Sequence, residues 1–289
     1  MNETVLHRQD ENEPLAIQAT PVPAAGLGLG IGQGANHLVR FMSSVLHAED
    51  IETTWALLRD YLRGLGFGDV LYGYSPTFHA GNIGERDEVL LLSTLERPIV
   101  DALVDEGHFR ESITFNWALR NVGIASWAMT ARQAGMAPCF ATSKKALDFF
   151  ARHVFTAGCC IGFPSLRTRG KAVMALFGHR GSTQDEFVAL VALQGDSLLV
   201  ATSMAHMRLS DMPYLKPRQG LTLRQREVLE WVAEGKTMAD IAAILRISPV
   251  TVDKHLRLAR ENLGVETTAH AVIKASFLNQ IFVYEKPRP

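Results

Sequence analysis

Residues 221–265 read LTLRQREVLEWVAEGKTMADIAAILRISPVTVDKHLRLARENLGV, and the start and stop signals of three short helices are spelled out in them. Thr222 followed three residues on by Gln225 is a capping box: the hydroxyl accepts from a backbone N–H that would otherwise lack a partner, while the amide reaches back to the cap. Val228, Leu229 and Val232 recur at helical spacing as an inward face. Gly235 can enter the left-handed conformation that ends a helix. Thr237 and Asp240 repeat the capping box for a second helix, with Ile241, Ala242 and Leu245 inward. Ser248 caps a third helix, and Pro249 takes its first position, where a missing N–H is harmless. Val252, Leu256 and Leu263 face in, and Gly264 stops the helix. Two helices joined by a tight turn through Ile247, the second amphipathic and basic, predict a helix-turn-helix.

In such a motif the third helix enters the major groove of DNA. Its outward positions here are Val250, Thr251, Asp253, Lys254 and Arg257, with Arg260 at the margin. Lys254 and Arg257 lie three apart on one face, within reach of the same phosphates or a guanine edge. The acceptor-only carboxylate of Asp253 either favours a cytosine amino group or holds a neighbouring arginine. Lys236 and Thr237, at the start of the second helix, complete the expected DNA-binding set. Charge divides accordingly: residues 214–289 carry 12 Lys+Arg against 8 Asp+Glu, residues 1–213 carry 17 against 22, and the overall −1 hides the difference. A basic module beside an acidic one fits a DNA reader attached to something else.

A chain of 289 residues, 47% of them hydrophobic, supports about two domains, each with its own core. The opening MNETVLHRQDENEP has acids where a secretory signal needs a basic start. No stretch reads as the ~20 apolar residues of a membrane helix, since Phe187 to Val200 is interrupted by Gln194 and Asp196. A cytoplasmic protein is expected. Cys139 stands alone and Cys159 and Cys160 are adjacent, which gives neither a metal spacing nor a disulfide framework. The pair reads as buried strand residues, the alternative being a redox sensor. His79, His108 and His153 have no sequence partners forming a metal or nucleophile set, so no enzyme, cofactor or metal is expected.

Residues 1–35, with PVPAAGLGLGIGQG at 21–34, read as a flexible arm, and 209–220, with Pro213, Pro217 and Gly220, as a linker. They bound a sensor domain over 36–208 and a DNA-binding domain over 221–289. Within the sensor, helices are predicted at Leu38–His47, Thr53–Leu65, Pro98–Glu106, Phe115–Asn121, from Ser143 to Thr156, and from Ser182 with Asp185 closing its capping box. The last of these has Phe187, Leu190, Val191, Leu198 and Val200 for burial. Strands are predicted at Val70–Tyr74, Val89–Ser93, Cys159–Ser165 and Lys171–Gly178, the last two paired antiparallel through an RTRG turn. The class is α+β: an α/β/α sandwich with an antiparallel sheet, then an all-α helix-turn-helix domain. Such a sheet can open toward one helical layer to hold an apolar ligand.

The C-terminal block resembles the LuxR/NarL-type helix-turn-helix, with LTxRxxEVLxWxxEGKT, IAxxLxIS and TVxxHLxxxxxxLGV. Leu221, Arg224, Glu227, Trp231, Lys236, Thr251, His255 and Gly264 fall on the pattern. Two positions depart from it. Asn262 replaces a frequent basic residue before the Leu-Gly pair, and Thr268 stands where the family often has arginine after it. Residues 36–208 resemble the autoinducer-binding domain of LuxR-type quorum-sensing regulators, on FRESITFNWALRNVGIASW at Phe109–Trp127 and GCCIGFPSLRTRGKAVMALFG at Gly158–Gly178. The resemblance implies an acyl-homoserine lactone buried between sheet and helices, with Trp127 as a pocket tryptophan and Thr114 as a pocket residue. Ser112 stands where the family usually has the aspartate that accepts from the ligand amide, and Glu111 is next to it.

Leu95, Ile99 and Leu103 correspond to a tryptophan and a tyrosine that donate to the ligand's carbonyls, and none of them can hydrogen-bond. Headgroup contacts are then expected from Tyr72, Tyr74 or Trp117. A different apolar ligand and a pocket filled by the protein's own side chains remain the alternatives. Tyr72 and Tyr74 share a strand face, so both are inside if either is. The implied partners are a pseudo-palindromic DNA operator, the small molecule and a second copy of the chain, with a final helix at Thr268–Ile281 pairing the DNA-binding units through Val272, Ile273, Ala275 and Leu278. The competing reading is an orphan regulator that needs no ligand or answers to protein contacts.

Overall fold

The computed structural model describes residues 33–76, 78, 89–127, 148–150, 152–153, 155–165, 170–213 and 220–282. Expectations for residues 1–32, His79, Cys139, the Ser143 cap, residues 166–169 of the hairpin turn and Pro217 lie outside them.

Two antiparallel helices open the described chain. Helix α1 (Gln33–His47) begins inside the segment expected to be an arm. Helix α2 (Ile51–Gly64) starts at Asp50, whose carboxylate accepts from the Thr53 N–H at 2.6 Å. Strands β1 (Val70–Ser75) and β2 (Leu90–Ser93) follow, then α3 (Arg97–Asp105), a 3-10 turn (His108–Glu111) and α4 (Ile113–Ala118). Strands β3 (Gly123–Ser126), β4 (Gly158–Gly162) and β5 (Lys171–Phe177) complete the sheet, and α5 (Gln184–Asp211) crosses back over it. The described strands are all antiparallel, in the order β2-β1-β5-β4-β3. Strand β3 was not anticipated: Gly123-Ile-Ala-Ser is too short to show an alternation. Gly162 on β4 lies so close to the Ala118 and Asn121 carbonyls that a Cβ would collide with both, so a glycine is required for α4 to meet the sheet.

The two faces of the sheet have separate fates. Val70 and Tyr72 on β1, Met174 and Leu176 on β5, and Cys159 and Ile161 on β4 enter one large core with Phe41, Leu58, Leu62, Phe187 and Leu198 from α1, α2 and α5. The intervening residues face α3 and α4. This is the expected α/β/α sandwich, with the layers fixed by the strand period of two.

Helix α5 departs from expectation in four respects. Its cap is Thr183 with Glu186, one residue later than Ser182 with Asp185. Val200 is 42% exposed rather than buried. The helix runs on to Asp211, past the break expected at Leu209. By length and composition it is also apolar enough to cross a membrane; here its Phe187, Leu198, Ala201, Ala205 and Leu209 supply the sandwich core.

The C-terminal helices follow their signals closely. Helix α6 (Leu223–Ala233) and α7 (Met238–Leu245) both start in complete capping boxes, Thr222 with Gln225 and Thr237 with Asp240. Helix α8 (Pro249–Leu263) is capped by Ser248 and ends at Gly264, φ 63°. Val228, Leu229, Ile241, Val252, Leu256 and Leu263 form its core with Ala271, Ala275 and Leu278 of α9 (Thr268–Phe277) and the residue after it. This corrects the expectation for the final helix. Ala275 and Leu278 are inside their own module and unavailable to a partner, and of the four residues expected to pair, Ile273 is the exposed one.

Candidate functional site

A cavity of about 740 Å³ lies between the sheet and the α3/α4 layer. Its floor comes from alternate strand residues: Leu71, Gly73 and Ser75 of β1, Leu91 and Ser93 of β2, Cys160 of β4, and Lys171, Val173, Ala175 and Phe177 of β5. Leu71 lies opposite Ala175, Gly73 opposite Val173, and Ser75 opposite Lys171. The roof is formed by Val100, Leu103 and Val104 of α3, with Phe109, Ser112, Phe115 and Leu119 beyond it. Small side chains at Gly73, Ala175 and Cys160 leave the middle of the floor low. A Cβ built on Gly73 would come no nearer than 3.9 Å to any atom outside its neighbours.

Seven residues were expected at this site, and the structure brings two of them to the cavity wall, Ser112 and Trp127. Trp127 is buried, edge-on to Phe177 with ring centroids 6.2 Å apart. Gly158 lies under its indole so tightly that a Cβ there would meet the ring at 2.8 Å. The Ser112 hydroxyl caps α4, accepting from the Phe115 N–H at 3.2 Å, and lies 3.1 Å from the Thr114 hydroxyl. Thr114 is fully buried behind the wall, where its hydroxyl reaches the Cys160 thiol. Trp117 packs against the Ala118, Cys160 and Val173 cluster, and Glu111 ends the 3-10 turn half-buried; neither lines the cavity.

Tyr72 and Tyr74 are the clear correction. They do share a face, but it is the α1/α2/α5 face, away from the cavity. There the Tyr72 hydroxyl meets Nδ1 of His206 at 2.9 Å, and burial pushes the phenol's pKa well above its ordinary value. The signal that was missed is their complement, since the odd-numbered residues Leu71, Gly73 and Ser75 look into the cavity. At the positions implied for ligand hydrogen bonding, Leu95 and Leu103 are apolar wall residues and Ile99 packs beside them. Burial also pushes the Cys160 thiol up to about 12 and Cys159 higher than its ordinary value. Burial thus works against the thiolate that a redox sensor needs at both positions.

The outer face of α8 forms the second site. Val250, Asp253, Lys254 and Arg257 are exposed and Thr251 is half-buried, its N–H donating to the Ser248 hydroxyl at 3.1 Å. Arg257 pairs with Glu261 at 2.7 Å, one turn on, so it is not the arginine held by Asp253. Arg260 donates to the Thr268 hydroxyl at 2.9 Å and braces α8 to α9. Asn262 donates to Gln225 in the α6 capping box at 3.1 Å, so the residue that replaces a basic one ties two helices together. Lys236 is exposed at the start of α7, while Thr237 is committed to the cap. Hydrogen bonds from the Thr237 side chain and backbone hold the Asp240 carboxyl below its ordinary range.

Comparison with known proteins agrees with both halves. A family model described as "Bacterial regulatory proteins, luxR family" matches residues 219–275, and one described as "Autoinducer binding domain" matches residues 50–209. The Regulatory protein SdiA of Escherichia coli (strain K12) is 51% identical over 68 residues, 23% of this chain and 28% of that protein. Transcriptional activator protein SolR of Ralstonia solanacearum is 39% identical over 94 residues, 30% of this chain and 40% of that one. The chain thus spans less than half the length of these curated relatives. A solved structure of SdiA in complex with octanoyl-rac-glycerol shares the fold, with a TM-score of 0.51 at 17% identity over 86% of this chain and 97% of that one. The chain belongs to the LuxR family of bacterial regulatory proteins, with an autoinducer-binding domain ahead of its helix-turn-helix.

Proposed function

We propose that this chain is a ligand-responsive, cytoplasmic transcription factor of the quorum-sensing type, whose sensor holds an acyl-homoserine lactone or related apolar signal. The observation that carries this reading is the 740 Å³ cavity, walled mainly by aliphatic and aromatic side chains, in the domain that precedes an uncovered recognition helix. Lys254 and Arg257 on α8, with Lys236 at the start of α7, contact DNA, and Val250, Thr251 and Asp253 meet base edges.

Two copies bind a pseudo-palindromic operator. The pairing surface is the outer face of α5, where Leu193, Val200 and Met207 are 78%, 42% and 62% exposed at heptad spacing. Val39 and Leu46 of the adjoining α1 extend it at the same interval, 55% and 58% exposed.

Thermal melting of the purified chain with acyl-homoserine lactones of graded chain length tests the sensor. A ligand bound to the native state alone stabilises it by about 2.7 kcal/mol at a hundred times its Kd, so one chain length should raise the Tm saturably. No rise with any of them, in ligand-free folded protein, would transfer the chain to the orphan regulators.

A further inference from the structure

Most of the cavity is apolar, but its charged lining is unevenly committed. Two carboxylates and three cations reach it: Asp101, Asp105, Arg97, Arg110 and Lys171. Asp101 is held by Arg97 at 3.8 Å, and Asp105 also has a partner. Among the described residues the Lys171 ammonium makes no ion pair or hydrogen bond, and the Arg110 guanidinium makes a ring contact alone, 5.5 Å from the centre of Phe109. Among the described lining residues, the charge left uncommitted is therefore positive.

Its place is defined by the strand register. Lys171 opens β5, half-buried, with the buried Ser75 directly opposite on β1. Phe177, against Trp127, closes the same strand. Six strand steps separate Lys171 from Phe177, roughly 20 Å of floor with a cation at one end and two aromatic rings at the other.

We propose that the cavity takes an amphiphile ending in a carboxylate, its head at Lys171 and its alkyl chain running along Val173 and Ala175 toward Trp127 and Phe177. This rests on the reading of the cavity as the ligand site and names the ligand's polar end. A neutral headgroup leaves Lys171 without a counter-charge, whereas a carboxylate completes it through charge-assisted hydrogen bonds. A free fatty acid and a ring-opened acyl homoserine both have this chemistry.

The test is calorimetric titration of the full-length protein with decanoate, N-decanoyl homoserine, 1-decanol and N-decanoyl homoserine lactone, all below micellar concentrations. The expected result is saturable binding of at least one acid, one per chain, about tenfold or more tighter than its neutral counterpart. The tighter acid identifies the source. Lys171→Met should remove that preference, bringing the acid to the affinity of its neutral counterpart in the same variant, and Lys171→Gln guards against a folding defect. Equal or tighter binding of the neutral molecules, or an acid preference that survives in both Lys171 variants, overturns the carboxylate proposal but keeps the cavity as the ligand site. If none of the four binds to the folded protein, the reading of the cavity falls and the proposal falls with it.

Discussion

The hydroxyl of Tyr72 on β1 and Nδ1 of His206 on α5 lie 2.9 Å apart in the helix-side core, with Phe163 stacked on the imidazole at 4.5 Å between ring centroids. Burial lowers the His206 pKa from 6.5 to about 4. Between those values the unfolded chain binds the proton and the native one does not. The neutral imidazole's contribution is complete above pH 6.5 and is lost as pH falls toward 4, on the order of 3 kcal/mol in all. Urea unfolding across this window should show stability falling with acidity, and His206→Gln should flatten that slope. An unchanged slope in the variant would assign the acid sensitivity to other groups.

Tyr72→Phe keeps the ring and deletes the hydroxyl, leaving a buried imidazole nitrogen without its partner. Stability should fall by about 1–2 kcal/mol. Because Tyr72 looks away from the cavity, the ligand-induced rise in Tm should be the same size as in the unaltered chain. A variant that folds normally but no longer responds to ligand would return Tyr72 to the binding site.

Filling the floor should separate fold from response. Gly73→Val and Ala175→Phe place new side chains in the cavity rather than in a packed core. Both variants should keep a cooperative melt and lose ligand stabilisation. Retained stabilisation by the same ligand in the double variant would place its site elsewhere.

On α8, Lys254→Ala should weaken operator and random DNA alike and reduce the salt slope by about one, as expected for a phosphate contact. Arg257→Ala should weaken operator binding by roughly 1–3 kcal/mol and relax specificity if the guanidinium leaves Glu261 for a base. Gel-shift titrations at several salt concentrations, on operator and scrambled duplexes, distinguish a base contact from a phosphate contact for each residue.

Charge on the outer face of α5 should prevent pairing. Val200→Lys combined with Met207→Lys changes two exposed positions to like charges, so the fold should be retained while sedimentation shifts to the monomer. A dimer of undiminished strength would move the interface off this helix.

The first three helices of the DNA-binding module are legible because their caps are local: each of Thr222, Thr237 and Ser248 satisfies a backbone N–H three residues away. The sandwich was legible in outline, through the period of its longer strands. The cavity was harder to read. The strand period puts Tyr72 and Tyr74 on one face, but which face opens is decided by α1, α2 and α5, more than a hundred residues apart in part, and no pattern within β1 records it. The outer surface of α9 was misjudged for a similar reason. Ala275 and Leu278 belong to an apolar stripe that could serve a partner or the module's own core, and packing against α6 and α8 gives it to the core.

The sheet's division between a dry side and a hollow side has a consequence for substitution. Along β1 and β5, neighbouring residues have different surroundings: one enters the α1/α2/α5 core, the next lines the cavity. The cavity can therefore be reshaped at Gly73 and Ala175 without touching the α1/α2/α5 core. Tolerance to substitution along 70–75 and 171–177 should rise and fall with that beat.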